Sequence, residues 1–240
     1  MEELADKLIA WIREQVERAE RRGVVFGLSG GIDSAVVAVL CKRAFPDNCL
    51  AAIMPCYSVE TDIEHAQAVA LKFQIPFKNI ALEGVFDVLL AALSDGEYDP
   101  GTKRLAEANL KPRLRMITLY CLANRLDYLV VGTGNRSEIS IGYFTKYGDG
   151  GVDILPLGNL VKSRVRELAV HLGIPDEIIQ KPPSAGLWEG QTDEGEMGLT
   201  YEELDRYLVT GKASEEIKKK VDAMMGGSAH KRAMPLTPPF

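Results

Sequence analysis

VVFGLSGGIDSAVVAVL, Val24 to Leu40, passes from a short apolar run through a glycine-rich turn into a second apolar run. Val24–Leu28 has the composition of a buried strand, and Ala35–Ala44 reads as a helix that Phe45-Pro46 stops. The turn between them is Ser29-Gly30-Gly31-Ile32-Asp33-Ser34. Its glycines let backbone N–H groups approach a ligand closely, and the start of the following helix suits an anion. The Lys-Ser/Thr pair of a P-loop is missing. Ser29 and Ser34 add hydroxyl donors, whereas Asp33 repels bare phosphate unless a cation lies between them. Magnesium pyrophosphate meets that need. The plainer reading makes Asp33 an N-cap after a glycine-rich turn.

The strand–helix pattern continues outward. Leu4, Leu8, Trp11, Ile12 and Val16 recur at helical spacing within residues 2–20. Cys49–Pro55 reads as a second strand, Val59–Phe73 as a helix and Pro76–Leu82 as a third strand. Val85–Leu93 looks helical, and the polar loop SDGEYDPG follows at 94–101. A long helix is expected over 102–124, with an interruption near Pro112 as an option. Asp127–Gly134 reads as a fourth strand that ends in a second glycine-rich turn. Residues 135–160 read as mostly loop, with a short strand near Asp153–Leu155, before a helix at Lys162–Leu172. A loop rich in Pro, Gly and acids covers 181–198. Two helices are expected at Tyr201–Leu208 and Ser214–Met225, and the tail HKRAMPLTPPF reads as irregular.

Strands alternating with helices predict an α/β fold: a Rossmann-like open parallel sheet with helices on both faces, as a single domain over 1–240. Ligands of such sheets sit beyond the carboxyl ends of the strands, where strand order reverses. Both glycine-rich turns are therefore expected to face one cleft.

The 240 residues are 46% hydrophobic and 26% charged, enough for a continuous core. No run approaches the roughly 20 apolar residues of a membrane span. The charged amphipathic start is unlike a signal peptide, so a cytoplasmic location is expected. A net charge of −6 disfavours nucleic acid or an acidic membrane as partner. Cys41, Cys49, Cys56 and Cys121 form no C-x-x-C pair and no metal-finger spacing, and read as inert thiols.

SGGIDS matches the SGG-x-DS signature of the ATP pyrophosphatases, which cleave ATP between its α- and β-phosphates and adenylate a substrate oxygen. The run GTGNRSEISIGYFTKYGDGGVDILPLGNLVKSRVRELA, Gly132–Ala169, narrows this choice: it resembles the NAD synthetase family, above all in GYFTKYGDGGVDILPL. LKPRLRMITLY (Leu110–Tyr120), PPSAGLWEGQTDE (Pro182–Glu194) and HKR (His230–Arg232) match the same family in the expected order. The resemblance spans residues 24–232.

The resemblance implies that ATP lies on Gly27, Leu28, Ser29, Gly30, Gly31, Ile32, Asp33, Ser34, Thr133, Lys162 and Ser184, the last standing where the family has Thr or Ser. It implies Mg²⁺ on Asp33 and Glu138, and deamido-NAD on Arg113, Lys146, Asp153, His230 and Lys231. Asp149 is the candidate for placing ammonia or taking a proton from ammonium, and joins Asp33 and Lys162 in the expected catalytic set. Residue chemistry alone leaves other readings open. Glu138 can be a solvated acid at a helix start, Lys111, Arg113 and Arg115 a solvated basic face, and His230-Lys231 part of a disordered tail. Lys162 opens a helix although cations prefer helix C-termini, which a triphosphate would explain.

The implied reaction is amidation of deamido-NAD by ammonia at the expense of ATP, giving NAD, AMP and pyrophosphate through an NAD-adenylate. It needs no protein nucleophile, which suits the inert cysteines. No glutaminase domain fits before Val24, so free ammonia is the expected nitrogen source, and a separate glutaminase partner is compatible with it. The family implies a homodimer, for which 2–20 and 102–124 offer amphipathic surfaces. Thiolating relatives commonly use cysteine pairs, absent here. The remaining alternatives are another SGG-x-DS amidoligase resembling GMP synthetase and a non-catalytic adenine-nucleotide sensor, which would need neither Glu138 nor Lys162.

Overall fold

Strand β1 (Gly23–Gly27) sends Val24 and Phe26 into one core cluster and Val25 into another. β2 (Cys49–Ile53) does the same, with Cys49, Ala51 and Ile53 on the first side and Ala52 on the second. A strand covered on both faces carries a continuous apolar run, which is why VVFG shows no polar alternation. The computed structural model describes residues 1–93, 104–188 and 190–240. In it β3 (Phe77–Asn79) and β4 (Tyr128–Val131) complete a parallel sheet of order β3-β2-β1-β4. The chain steps outward from β1 to β3 and returns on the other side of β1, so strand order reverses beside β1.

The helices of the first two-thirds are α1 (Glu2–Arg18), α2 (Ile32–Ala44), α3 (Glu60–Lys72), α4 (Glu83–Leu93), α5 (Arg104–Ala108), α6 (Leu110–Leu126) and α7 (Arg136–Ile141). Those of the last third are α8 (Lys162–Leu172), α9 (Asp176–Gln180), α10 (Asp193–Met197), α11 (Tyr201–Thr210) and α12 (Glu215–Gly227). Ile12 and Val16 of α1, most of α2 and Val165 and Leu168 of α8 pack on the Phe26 face of the sheet. Phe86 of α4 and Leu114, Leu119 and Leu122 of α6 pack on the Val25 face. From Ile32 to Cys41 every residue of α2 is buried except Asp33. A helix so apolar all round belongs in an interior, and its one departure faces the cleft. A third cluster, with Leu204 of α11 and Val221 of α12, seats the C-terminal helices on Ile141 of α7.

The α/β sheet flanked by helices on both faces is the predicted one, and the differences are local. Helix α2 begins at Ile32, three residues before the apolar run suggested. The 135–160 region contains α7, because Asn135 and Glu138 form a reciprocal capping box that starts a helix without an apolar pattern. The break in the long helix falls at Asn109, and Pro112 sits in the first turn of α6, where a missing N–H costs nothing. The third strand is only three residues long, and Asp153–Leu155 contributes one parallel bridge, Ile154 to Val131. The 181–198 region includes α10, capped by the Thr192 hydroxyl, and the tail holds a 3-10 turn at Ala229–Lys231. The loop read at 94–101 and the first two residues of the 102–124 helix lie outside the described residues. Cys41, Cys49, Cys56 and Cys121 are all free, the first three buried. Among the described residues no helix is long and apolar enough to cross a membrane.

Phe26 is wholly buried at the middle of β1. Phe26→Ala is expected to cost about 3–5 kcal/mol, read as a lower urea midpoint with an unchanged denaturant slope.

Candidate active site

The turn after β1 is held by its own hydroxyls. Ser34 Oγ donates to Gly31 O at 2.9 Å, accepts from Ser29 N–H at 3.2 Å and lies 3.0 Å from Ser29 Oγ. Gly30 has φ +82, and a Cβ there would stand 2.2 Å from Asp62 O. Only glycine fits both the left-handed backbone and that approach. Gly31, not Asp33, is the N-cap of α2, and no side chain caps it. The N-cap reading of Asp33 is thereby replaced: its carboxylate leaves the helix and crosses the cleft.

Three charged groups meet there. Asn135 Nδ2 donates to Asp33 Oδ1 at 2.9 Å, while Asn135 Oδ1 accepts from Glu138 N–H at 3.1 Å and Glu138 Oε2 accepts from Asn135 N–H at 3.2 Å. Lys162 Nζ pairs with Asp33 Oδ2 and lies 3.3 Å from Glu138 Oε1. The Lys162 side chain is 3% exposed and each carboxylate side chain 16%. Burial alone would discharge Lys162, but Asp33 and Glu138 outweigh it and hold the ammonium above its ordinary range. Burial pushes the Glu138 carboxyl up to about 7, even though Lys162 opposes the shift. The helix-start cation that ran against dipole logic is thus paired with acids from two other elements, and Glu138 is no solvated surface acid.

A further layer comes from the C-terminal third. Tyr201 Oη lies 3.2 Å from Glu138 Oε1 and 2.9 Å from Asp193 Oδ2, and the Lys162 ammonium stands 5.0 Å from the Tyr201 ring centre. Tyr143 Oη donates to Asp193 Oδ1 at 3.1 Å or Glu196 Oε2 at 2.5 Å. Gln191 joins Glu196 at 2.7 Å and accepts from Leu187 N–H at 2.7 Å. Burial raises the Asp193 carboxyl. The sequence reading missed Asn135, Asp193 and Tyr201. An Asn-x-x-Glu capping box was visible in NRSE; nothing local marked the other two.

Most of these groups, though not Asn135 or Tyr201, line a cavity of about 580 Å³ at the carboxyl ends of β1 and β4. Gly27, Leu28, Ser29, Gly31, Ile32, Asp33, Ser34 and Thr133 line it, so both glycine-rich turns face one cleft as expected. Glu138, Asp149, Lys162, Ser184 and Lys231 line it too. Gly30 is not on the wall; its backbone abuts Asp62. Asp149 is open to the cavity and accepts from Thr145 N–H at 2.8 Å. Burial raises its carboxyl, against the pull of that N–H, Lys231 and Arg115.

The other predicted substrate residues lie off the cavity wall. Arg113 is exposed, and Asp153 accepts from Tyr120 Oη at 2.9 Å and Val130 N–H at 2.8 Å. Lys146 Nζ donates to His230 O at 2.6 Å, and Lys231 Nζ donates to Gly142 O and Phe144 O at 2.8 Å each. The basic tail therefore docks on the 142–146 loop. The run Lys111–Arg115 is no uniform solvated face either. Lys111 is buried, donating to Leu187 O at 2.7 Å, and Arg115 enters the cavity, donating to Met54 O at 3.1 Å.

The raised Glu138 carboxyl has a stability consequence. Between the ordinary value of 4.5 and about 7 the unfolded chain has lost this proton and the folded chain keeps it. The unfolded state then binds fewer protons, so this residue makes stability fall as pH rises across that window. In urea titrations from about pH 5 to about pH 7, Glu138→Gln is expected to flatten the decline by up to about 1.4 kcal/mol per pH unit.

The NAD synthase family model matches residues 4–235. The NH(3)-dependent NAD(+) synthetase of Carboxydothermus hydrogenoformans is 51% identical over 238 residues, 99% of this chain and 97% of the relative. Among solved structures, NMN synthetase from Francisella tularensis superposes with a TM-score of 0.94 at 38% identity, covering 100% of this chain and 98% of that one. NH3-dependent NAD synthetase from Campylobacter jejuni gives 0.80 at 31% identity, covering 99% and 98%. With a family model matched almost end to end and a relative sharing half its residues, the chain belongs to the NAD synthase family.

Proposed function

We propose that the chain converts deamido-NAD to NAD with ATP and ammonia, releasing AMP and pyrophosphate. The observation that carries this reading is the convergence of Asp33, Glu138 and Lys162 beside the Ser-Gly-Gly turn, in a chain about half identical to an NH(3)-dependent NAD(+) synthetase. First, a nicotinate carboxylate oxygen attacks the α-phosphorus of ATP, the bond to the β-phosphate bridge breaks, and pyrophosphate leaves. Next, ammonia attacks the activated carbonyl carbon, AMP departs with the former carboxylate oxygen, and one proton is lost. Asp149 has the placement to take that proton, because its carboxylate faces the cavity and burial raises its affinity for a proton.

Lys162 stays charged and donates to phosphate oxygens as negative charge develops on them, while the start of α2 after the Ser-Gly-Gly turn points its dipole toward the same oxygens. Thr133 and Ser184, which both line the cavity, contribute hydroxyls. Asp33 and Glu138 fit a magnesium ion as hard oxygen donors. Among the described residues no group of three His, Cys, Asp or Glu side chains gathers for a metal, so Asp33 and Glu138 would be its only protein carboxylates. When bound, magnesium would neutralise charge on the triphosphate.

Lys146 and Asp153 are assigned to deamido-NAD near its nicotinate end, and Arg113, His230 and Lys231 to the rest of the dinucleotide. Exposed Val85, Val88 and Ile117 on α4 and α6 support a homodimer on that side. Free ammonia remains the expected nitrogen source, with a separate glutaminase as an added option, and the reaction is assigned to the cytoplasm. The 0.94 superposition on an NMN synthetase favours a second reading, in which the nicotinate mononucleotide is the better substrate.

Incubation with ATP, magnesium and ammonium, with AMP and pyrophosphate followed, separates these. Turnover of deamido-NAD is expected. Faster turnover of nicotinate mononucleotide selects the second reading, turnover of XMP alone overturns both, and nucleotide binding without turnover leaves a sensor. Asp33→Asn should lower kcat by about 10²-fold or more while deamido-NAD still binds; unchanged turnover would remove Asp33 from the metal-binding role.

A further inference from the structure

Lys162 is placed by contacts that do not involve its ammonium. Its backbone N–H donates to Ser137 Oγ at 3.1 Å, and Ser137 Oγ donates to Asp205 Oδ1 at 2.5 Å. The other oxygen, Asp205 Oδ2, accepts from Ser163 N–H at 2.7 Å. Ser137, Lys162 and Asp205 are 0, 2 and 6% exposed, so the two bonds through Ser137 Oγ are shielded from water, while the Ser163 bond is half-buried. Val161, the N-cap of α8, has no side-chain cap to offer. The carboxylate of α11 takes over that work and brings negative charge to the positive end of the α8 dipole.

The geometry ties two elements to one carboxylate. Ser137 precedes Glu138 on α7, and Ser163 follows Lys162 on α8. Asp205 therefore sets the register between the helix that carries Glu138 and the helix that carries Lys162. Tyr201 lies four residues earlier on α11, on the same face, and reaches Glu138. Neither Ser137 nor Asp205 lines the cavity.

We propose that Asp205 is a positioning residue for the reaction, holding Lys162 through Ser137 Oγ and the Ser163 amide so that its ammonium meets the triphosphate. This rests on the functional reading above, in which Lys162 contacts ATP. The test is ATP affinity measured calorimetrically on the full chain, with and without magnesium, alongside melting temperature. Asp205→Asn and Ser137→Ala should each weaken ATP binding about tenfold, the loss of one charge-assisted contact, and Ser137→Thr should restore it. In a Lys162→Met background, Asp205→Asn should change ATP affinity less than about twofold, because coupled residues are not additive.

A purely structural cap would lower the melting temperature and weaken ATP equally in both backgrounds, and that result overturns the proposal. Unchanged affinity in Asp205→Asn also overturns it. Should Asp205→Asn fail to fold, Ser137→Ala in the two backgrounds carries the same comparison. A wild-type chain that binds no ATP overturns the functional reading itself, a result distinct from ATP binding that ignores Asp205.

Discussion

Everything near the cleft depends on one buried ammonium, that of Lys162, set between the carboxylates of Asp33 and Glu138. A lysine this deep would normally lose its proton, and two acids this close would normally share one. The two acids keep the lysine charged, while the lysine only partly offsets the burial that raises Glu138. The three side chains come from α2, α7 and α8, so the electrostatic balance exists only when three separate elements are correctly packed. Removing Lys162 would leave two acids buried side by side without a cation, which costs far more than such a cluster returns in net stability. A cluster like this is retained for chemistry more readily than for stability, and phosphoryl chemistry uses just such a cation between hard oxygen donors.

The fold supplies the setting. Reversal of strand order beside β1 opens a crevice at the strand ends, and both glycine-rich turns border it. The C-terminal helices do more than cover the sheet. Helix α11 sends Tyr201 to Glu138 and Asp205 to the start of α8, while Asp193 and Glu196 join Tyr143 in a hydrogen-bonded wall of the cavity. A region that reads in sequence as acidic loop and amphipathic helices thus becomes the outer layer of the site.

Within the proposed amidation, the cavity and its surroundings divide the labour. The Ser-Gly-Gly turn, Lys162 and the paired carboxylates face the triphosphate, and Asp149 lines the same cavity with a carboxyl that burial raises. Four groups expected to meet the dinucleotide, Arg113, Lys146, Asp153 and His230, stand off the cavity wall, consistent with a ligand longer than the cavity.

The sequence by itself determined the strand–turn–helix at Val24–Ala44, the parallel α/β class and the family, because local apolar runs and glycines report backbone geometry directly. It also named Asp33, Glu138 and Lys162, chiefly through family motifs. Helix α7 was legible only as the capping box Asn135–Glu138, and periodicity passed over it because six residues are too few to show a face. Only the tertiary structure decided that Asp33 is no cap, that Lys111 is buried while Arg113 is not, and that Asn135, Tyr201, Asp193 and Asp205 surround the Lys162 centre. These are pairings across tens of residues of chain, and a local pattern carries no information about which distant side chain will neutralise a buried charge.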